Sequence, residues 1–128
     1  MVKAAAILFG IVFLVVGILG FVPAVTSGMP DMPMLLGIFH VNKFHNCVHI
    51  ASGVVFLLCG MAGAGPSRLF FKIFGLVYAL VAVLGFMNPM GPLFGMMSNN
   101  PAVTYLHVVL AAAMLFLGFV TKDSSAAV

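Results

Sequence analysis

Four long stretches of the chain are predominantly apolar: about Ala4 to Val22, Phe44 to Met61, Leu69 to Met87 and Ala102 to Val120. Each approaches the ~20 residues that a helix needs to cross the hydrocarbon of a bilayer. None shows the alternation of a membrane β-strand. The pattern predicts an all-α integral membrane protein with four transmembrane helices. The breaks fall at Pro23, at the turn Ala62-Gly63-Ala64-Gly65-Pro66-Ser67, at Asn88-Pro89 and at Thr121-Lys122-Asp123. The first stretch follows Lys3, as a secretory signal would. It is longer than a signal core and is followed by no A-x-A site, so it is read as the first membrane helix.

The four stretches fall into two similar halves. Phe9-Gly10-Ile11-Val12-Phe13 aligns with Phe74-Gly75-Leu76-Val77-Tyr78, and in the same register Leu19-Gly20-Phe21 aligns with Leu84-Gly85-Phe86. Val48-His49-Ile50 lies on Leu106-His107-Val108, and Gly60 on Gly118. The expected architecture is therefore one bundle, residues 1–128, made of two tandem helical hairpins, repeat one at about 4–62 and repeat two at about 69–120. Each hairpin crosses twice, so the copies point the same way and their symmetry axis runs along the membrane normal. Gly10, Gly17 and Gly20 on the first helix, with Gly75, Ala79, Ala82 and Gly85 on the third, give small faces for close helix contact.

Composition agrees with the pattern. The chain is 64% hydrophobic and 5% charged, where a soluble domain carries about 25% charged residues. The bilayer is its first partner. The formal charge of +3 comes from single, scattered basic residues, which excludes the stripe a nucleic-acid-binding surface needs. These residues instead set topology. Lys3, Arg68, Lys72 and Lys122 fall on one side and only Lys43 on the other, which predicts cytoplasmic N- and C-termini and outward loops at about 23–43 and 88–101. Cys47 and Cys59 lie roughly 18 Å apart along one helix and cannot pair.

Candidate chemistry gathers where the second helix begins. Asn42, His45, Asn46, His49, Ser52 and Gly53 fall on one helical stripe, and polar residues there must face the bundle interior or a partner. Thr104 and His107 form a shorter stripe on the fourth helix, placing His107 at the depth of His49. Three roles fit these residues. Asn42, Asn46, Ser52 and the histidines can hold the helices in register through cross-helix hydrogen bonds. His45 and His49, one turn apart, can share a metal ion with His107. His49 and His107 can be the axial ligands of a non-covalent haem b. Seven of the ten methionines lie in or beside the outward loops, and Met29-Pro30-Asp31-Met32-Pro33-Met34 has M-x-x-M-x-M spacing. Thioethers select Cu(I), so copper is the first metal expected, with His40, Met32 and Met34 assisting. Catalysis is not indicated, because Asp31 and Asp123 are the only acids and no membrane stretch carries a carboxylate base. The small-residue faces suit a homo-oligomer or a larger membrane complex equally well.

The run Phe39-His40-Val41-Asn42-Lys43-Phe44-His45-Asn46-Cys47-Val48-His49 resembles a domain-of-unknown-function family of small four-helix bacterial membrane proteins. Its members show V-N-x-x-H-N-x-x-H at the start of helix two and an L-H pair opening helix four, like Leu106-His107 here. The resemblance spans about residues 5–120. It implies the four-helix fold and a bacterial inner membrane, and it points to the histidines without supplying an activity. The family pattern carries an acid shortly before the helix-four histidine. This chain reads Asn99-Asn100-Pro101-Ala102-Val103-Thr104 there and departs from that pattern, so an acid-assisted role for His107 does not carry over.

Overall fold

A computed structural model describes residues 1–29, 32–91, 93 and 99–121, with only the backbone described for residues 28, 29, 32, 33 and 40. Helix α1 spans Val2–Leu19, α2 Lys43–Ala62, α3 Ala64–Met87 and α4 Pro101–Leu115, which continues as a π-helical turn over Phe116–Val120. All four are long and apolar enough to cross a membrane. Leu8, Ile18, Leu58, Leu69, Leu80 and Val109 each expose more than half of their surface, while His45, Asn46, His49, Thr104 and His107 are buried. This distribution is inverted relative to a water-soluble protein. It is the arrangement hydrocarbon favours, because an unpartnered polar group is costly in lipid.

α1 packs along α2 and α3 along α4, with sparser contact between the two pairs. The chain is therefore two hairpins in tandem, as the sequence pattern predicts. The link between them is tighter than the expected turn over residues 62–67. α3 begins at Ala64, leaving Gly63 alone between two helices. Gly63 has φ 140°, which a side chain would oppose. Pro66 lies in the first turn of α3, where no helical N–H bond is lost. The Ser67 hydroxyl donates to the carbonyls of Gly63 (2.7 Å) and Cys59 (3.0 Å), satisfying groups that the end of α2 leaves open. At the same end of the bundle, the Arg68 guanidinium donates to the carbonyls of Leu117 and Thr121, where the π-turn has released them.

Close contacts in one hairpin recur in the other. A Cβ on Gly10 would stand 2.7 Å from Leu57 Cγ, and one on Gly75 would stand 2.9 Å from Leu115 Cγ. Gly20 abuts the Asn46 amide as Gly85 abuts the Thr104 side chain. Gly60 packs on Ile7, and Gly118 on Lys72. The N-caps match too. The Asn42 side chain accepts from the His45 N–H (2.8 Å), and that of Asn100 accepts from the Val103 N–H (2.9 Å).

The described part of loop 23–43 contains short strands that the apolar pattern did not predict. After a 3-10 turn (Pro23–Val25), strands β1 (Thr26–Met29), β2 (Met32–Leu35) and β3 (Phe39–His40) form an antiparallel meander. Thr26 is opposite Leu35, and Met34 is opposite His40. The β2–β3 turn holds Leu36 at φ 55° and Gly37 at φ 72°. A loop this long must satisfy its own backbone groups, and short strands do so. β3 lies against α4, and the Asn100 amide donates to the Ile38 carbonyl (3.0 Å). Asn100 thus caps α4 and ties the two outer loops together. Asn100→Ala is expected to lower stability by about 1–2 kcal/mol, read from thermal unfolding in detergent. An unchanged midpoint would mean that the tether is not formed.

Candidate functional site

The polar stripe of α2 is its buried face: His45, Asn46, His49, Ser52 and Gly53 all point into the bundle. Helical periodicity alone dictates this once the rest of the helix is apolar, since lipid rejects the stripe and the interior accepts it. His107, buried on α4, completes a cluster of three imidazoles. The ring of His45 stands 4.4 Å from that of His49 and 5.9 Å from that of His107. Aromatic rings close the cluster on two sides. Phe13 meets His49 edge-on at 5.4 Å, and Tyr78 meets His107 edge-on at 5.2 Å. Phe13 and Tyr78 in turn meet at 6.0 Å and 90°. A larger group of phenylalanines, including Phe9, Phe56, Phe70, Phe71 and Phe74, continues from there.

Three buried atoms in this region have no hydrogen-bond partner: Asn46 Oδ1, His49 Nδ1 and His107 Nδ1. The Asn42 oxygen serves its own helix as N-cap. Asn46 Oδ1, His49 Nδ1 and His107 Nδ1 therefore make no cross-helix hydrogen bond. Where two helices are joined polar group to polar group, the joint lies next to the cluster: Asn99 donates to the carbonyls of Asn88 (3.1 Å) and Pro89 (3.2 Å) and accepts from the Thr104 hydroxyl (3.1 Å). Asn99 and Asn100 were readable from sequence as an N-cap preceding a proline at the first helical position. Phe13 and Tyr78 carry no such signal, because an aromatic residue in a membrane helix looks like packing wherever it points.

The expected site residues therefore divide. His45, His49 and His107 come together, with Asn46 and Ser52 buried on the same face of α2. Met34 is half-buried on β2 beside the backbone of His40. The side chains of Met32 and His40, and all of Met96, Met97 and Lys122, lie outside the described residues. Among the described residues, no set of three or more His, Cys, Asp or Glu is disposed to hold a metal ion. The three imidazoles are neighbours whose donor nitrogens do not converge as they stand. A cleft of about 210 Å³ between α1 and α4 reaches His49, and a second of about 210 Å³ between α2 and α3 reaches His45 and His107. Neither reaches both His49 and His107, the pair a haem would need to bridge.

Fold and site together define a four-helix membrane bundle with a buried imidazole cluster and no acid within its spans. The chain belongs to the family described as a domain of unknown function (DUF4383), whose pattern matches residues 3–120. No curated protein and no solved structure matches the chain.

Proposed function

We propose that this chain is an accessory or scaffolding protein of a bacterial inner membrane whose imidazole cluster binds one transition-metal ion, copper(I) first, through His45, His49 and His107. The observation that carries this reading is the pair of partnerless Nδ1 atoms, on His49 and His107, in a buried cluster where the His45 ring neighbours both of theirs. Buried polar atoms are nearly always satisfied, and each one that is not costs about 1–3 kcal/mol. A metal ion would take up these lone pairs. Hard cations favour carboxylate oxygens, and the spans carry no acid. Imidazole suits copper, and Met34, half-buried on β2, adds a soft donor in the sheet whose β3 lies against α4. Because the nitrogens do not yet converge, the rings must rotate to close on the ion.

Elemental analysis of the purified protein tests this. About one copper per chain is expected after exposure to copper(I), and His49→Ala should reduce it at least tenfold. Metal-free wild type after that exposure would end the metal reading. A structural subunit is the second reading, favoured by the matched Phe13–His49 and Tyr78–His107 contacts, which make each histidine a spacer between the two helices of its own hairpin. On that reading His49→Ala lowers the unfolding temperature while metal content stays at background. Haem b between His49 and His107 has less support, since the neighbouring clefts reach one or the other.

The hairpins are best read as two copies of one unit. The recurring contacts of Gly10 and Gly75, Gly20 and Gly85, and Gly60 and Gly118 support this, as do the paired N-caps. The basic residues Lys3, Arg68 and Lys72 share one end of the bundle and support cytoplasmic termini. Lys72 reaches toward that end over the Phe119 ring (5.2 Å).

A further inference from the structure

The two clefts beside the histidines are one cleft built twice. The first is lined by Phe9, Val12, Phe13, Leu106, Leu110 and His49. The second is lined chiefly by Phe44, Phe74, Val77, Tyr78, His45 and His107. In the register that lays one hairpin on the other, Phe9, Val12 and Phe13 become Phe74, Val77 and Tyr78, and His49 becomes His107. Volume and architecture are shared, but the chemistry is not. The second cleft has a tyrosine where the first has a phenylalanine, and it gains His45.

Packing does not call for that hydroxyl. Phe13 meets His49 at 5.4 Å as Tyr78 meets His107 at 5.2 Å, edge-on in both cases. A hydroxyl in hydrocarbon is costly without a partner, and the neighbouring His107 is 3% exposed with its Nδ1 partnerless. Apolar, aromatic walls with a few adjacent polar groups are the usual make-up of a small-molecule site. The second cleft has this make-up, whereas the first offers a single histidine.

We propose that the α2–α3 cleft binds the head group of an isoprenoid quinone. A ring carbonyl accepts hydrogen bonds from the Tyr78 hydroxyl and the His107 imidazole. The flat ring rests on the aromatic wall of Phe44 and Phe74, and the tail leaves between α2 and α3 into lipid. Three observations select this class. The lining holds no lysine, arginine or acid, so a phosphate or carboxylate head has no counter-charge. Val77 is 43% exposed on the lipid-facing surface, so a ligand enters from the bilayer. Pockets for drug-sized ligands run to about 300–1,000 Å³, so a 210 Å³ cleft takes one ring and leaves the tail outside. This assignment goes beyond the metal reading and shares His45 and His107 with it, so it is tested on metal-free protein, and His49, absent from the lining, separates the two.

The test is titration of the metal-free, full-length protein in detergent with a decyl-substituted benzoquinone, followed by calorimetry. Saturable binding of one quinone per chain is expected. Tyr78→Phe should weaken it about tenfold, the scale of one lost hydrogen bond, with cooperative unfolding retained because Phe13 already fills the equivalent place. Val77→Trp should fill the cleft and abolish binding, while His49→Ala should leave it intact. Uptake that never saturates, two quinones per chain, or equal affinity across wild type, Tyr78→Phe and Val77→Trp would each overturn the assignment. Copper measured on separate aliquots of each variant after exposure to copper(I) keeps the two readings apart. Tyr78→Phe should retain copper and lose quinone affinity, and His49→Ala the reverse.

Discussion

Gly53→Leu is expected to destabilise the bundle by about 3 kcal/mol or more, the upper end of the range for overpacking a close contact. At Gly53 an added Cβ would stand 2.8 Å from the Gly10 carbonyl oxygen and 2.9 Å from the Leu14 nitrogen. Both are backbone atoms of α1, and no rotamer change can move them aside. The two helices must separate, and the whole α1–α2 seam loosens with them. In lipid, helices associate largely through such van der Waals contact, so a wider gap removes most of what holds the hairpin closed. Gly65→Leu is the internal control. It makes the same change in side chain and helix propensity, but an added Cβ there meets nothing within 4 Å. Reversible unfolding in mixed micelles should show a large loss for Gly53→Leu and little for Gly65→Leu. Equal effects would mean that propensity or insertion, and not the close seam, governs stability.

The contrast between these two glycines shows how much of the fold was legible. The four spans and their pairing followed from apolar run length and from the alignment of the halves, because lipid imposes both constraints on every residue. The buried stripe on α2 followed from the same physics, and His45, His49 and His107 do meet. That Gly53 is irreplaceable did not follow, because a place on the inward stripe does not show how closely the backbone of α1 approaches it. The meander between Thr26 and His40 was also hidden. Its turn places Leu36, a poor left-handed residue, at φ 55°, against the local preference that sequence reasoning uses.

That His45 neighbours His49 and His107 was legible, but the connectivity of the polar side chains was not. Asn42 and Asn46 stand on one stripe, yet Asn42 caps its own helix while Asn46 Oδ1 has no partner. Side-chain hydrogen bonding depends on orientations that a helical wheel does not carry. Likewise, Phe13 and Tyr78 gain meaning only when each is found edge-on to a histidine. The substitution of tyrosine for phenylalanine between the halves is visible in the alignment, but its consequence appears only when both positions line equivalent clefts.

Phe56→Ala is expected to cost about 2 kcal/mol, less than the 3–5 kcal/mol typical of a phenylalanine in a water-soluble core. Phe56 is fully buried. Its ring touches those of Phe9 (5.6 Å), Phe13 (5.5 Å), Phe70 (4.6 Å), Phe71 (5.2 Å) and Phe74 (5.6 Å). In a soluble protein the loss has two parts, the transfer of the ring out of water and the cavity left behind. A helix that separates within lipid leaves its phenylalanine in hydrocarbon, so the transfer part vanishes and only the cavity and lost ring contacts remain. The cavity part should still be large, because five rings surround the gap and cannot all collapse into it. Unfolding in lipid nanodiscs, compared with the same variant unfolded by guanidinium into water, separates the parts. A loss near 2 kcal/mol in lipid, rising when the unfolded state is in water, is the expected pair. A loss of 4–5 kcal/mol in both would mean that α2 leaves the bilayer when the bundle opens.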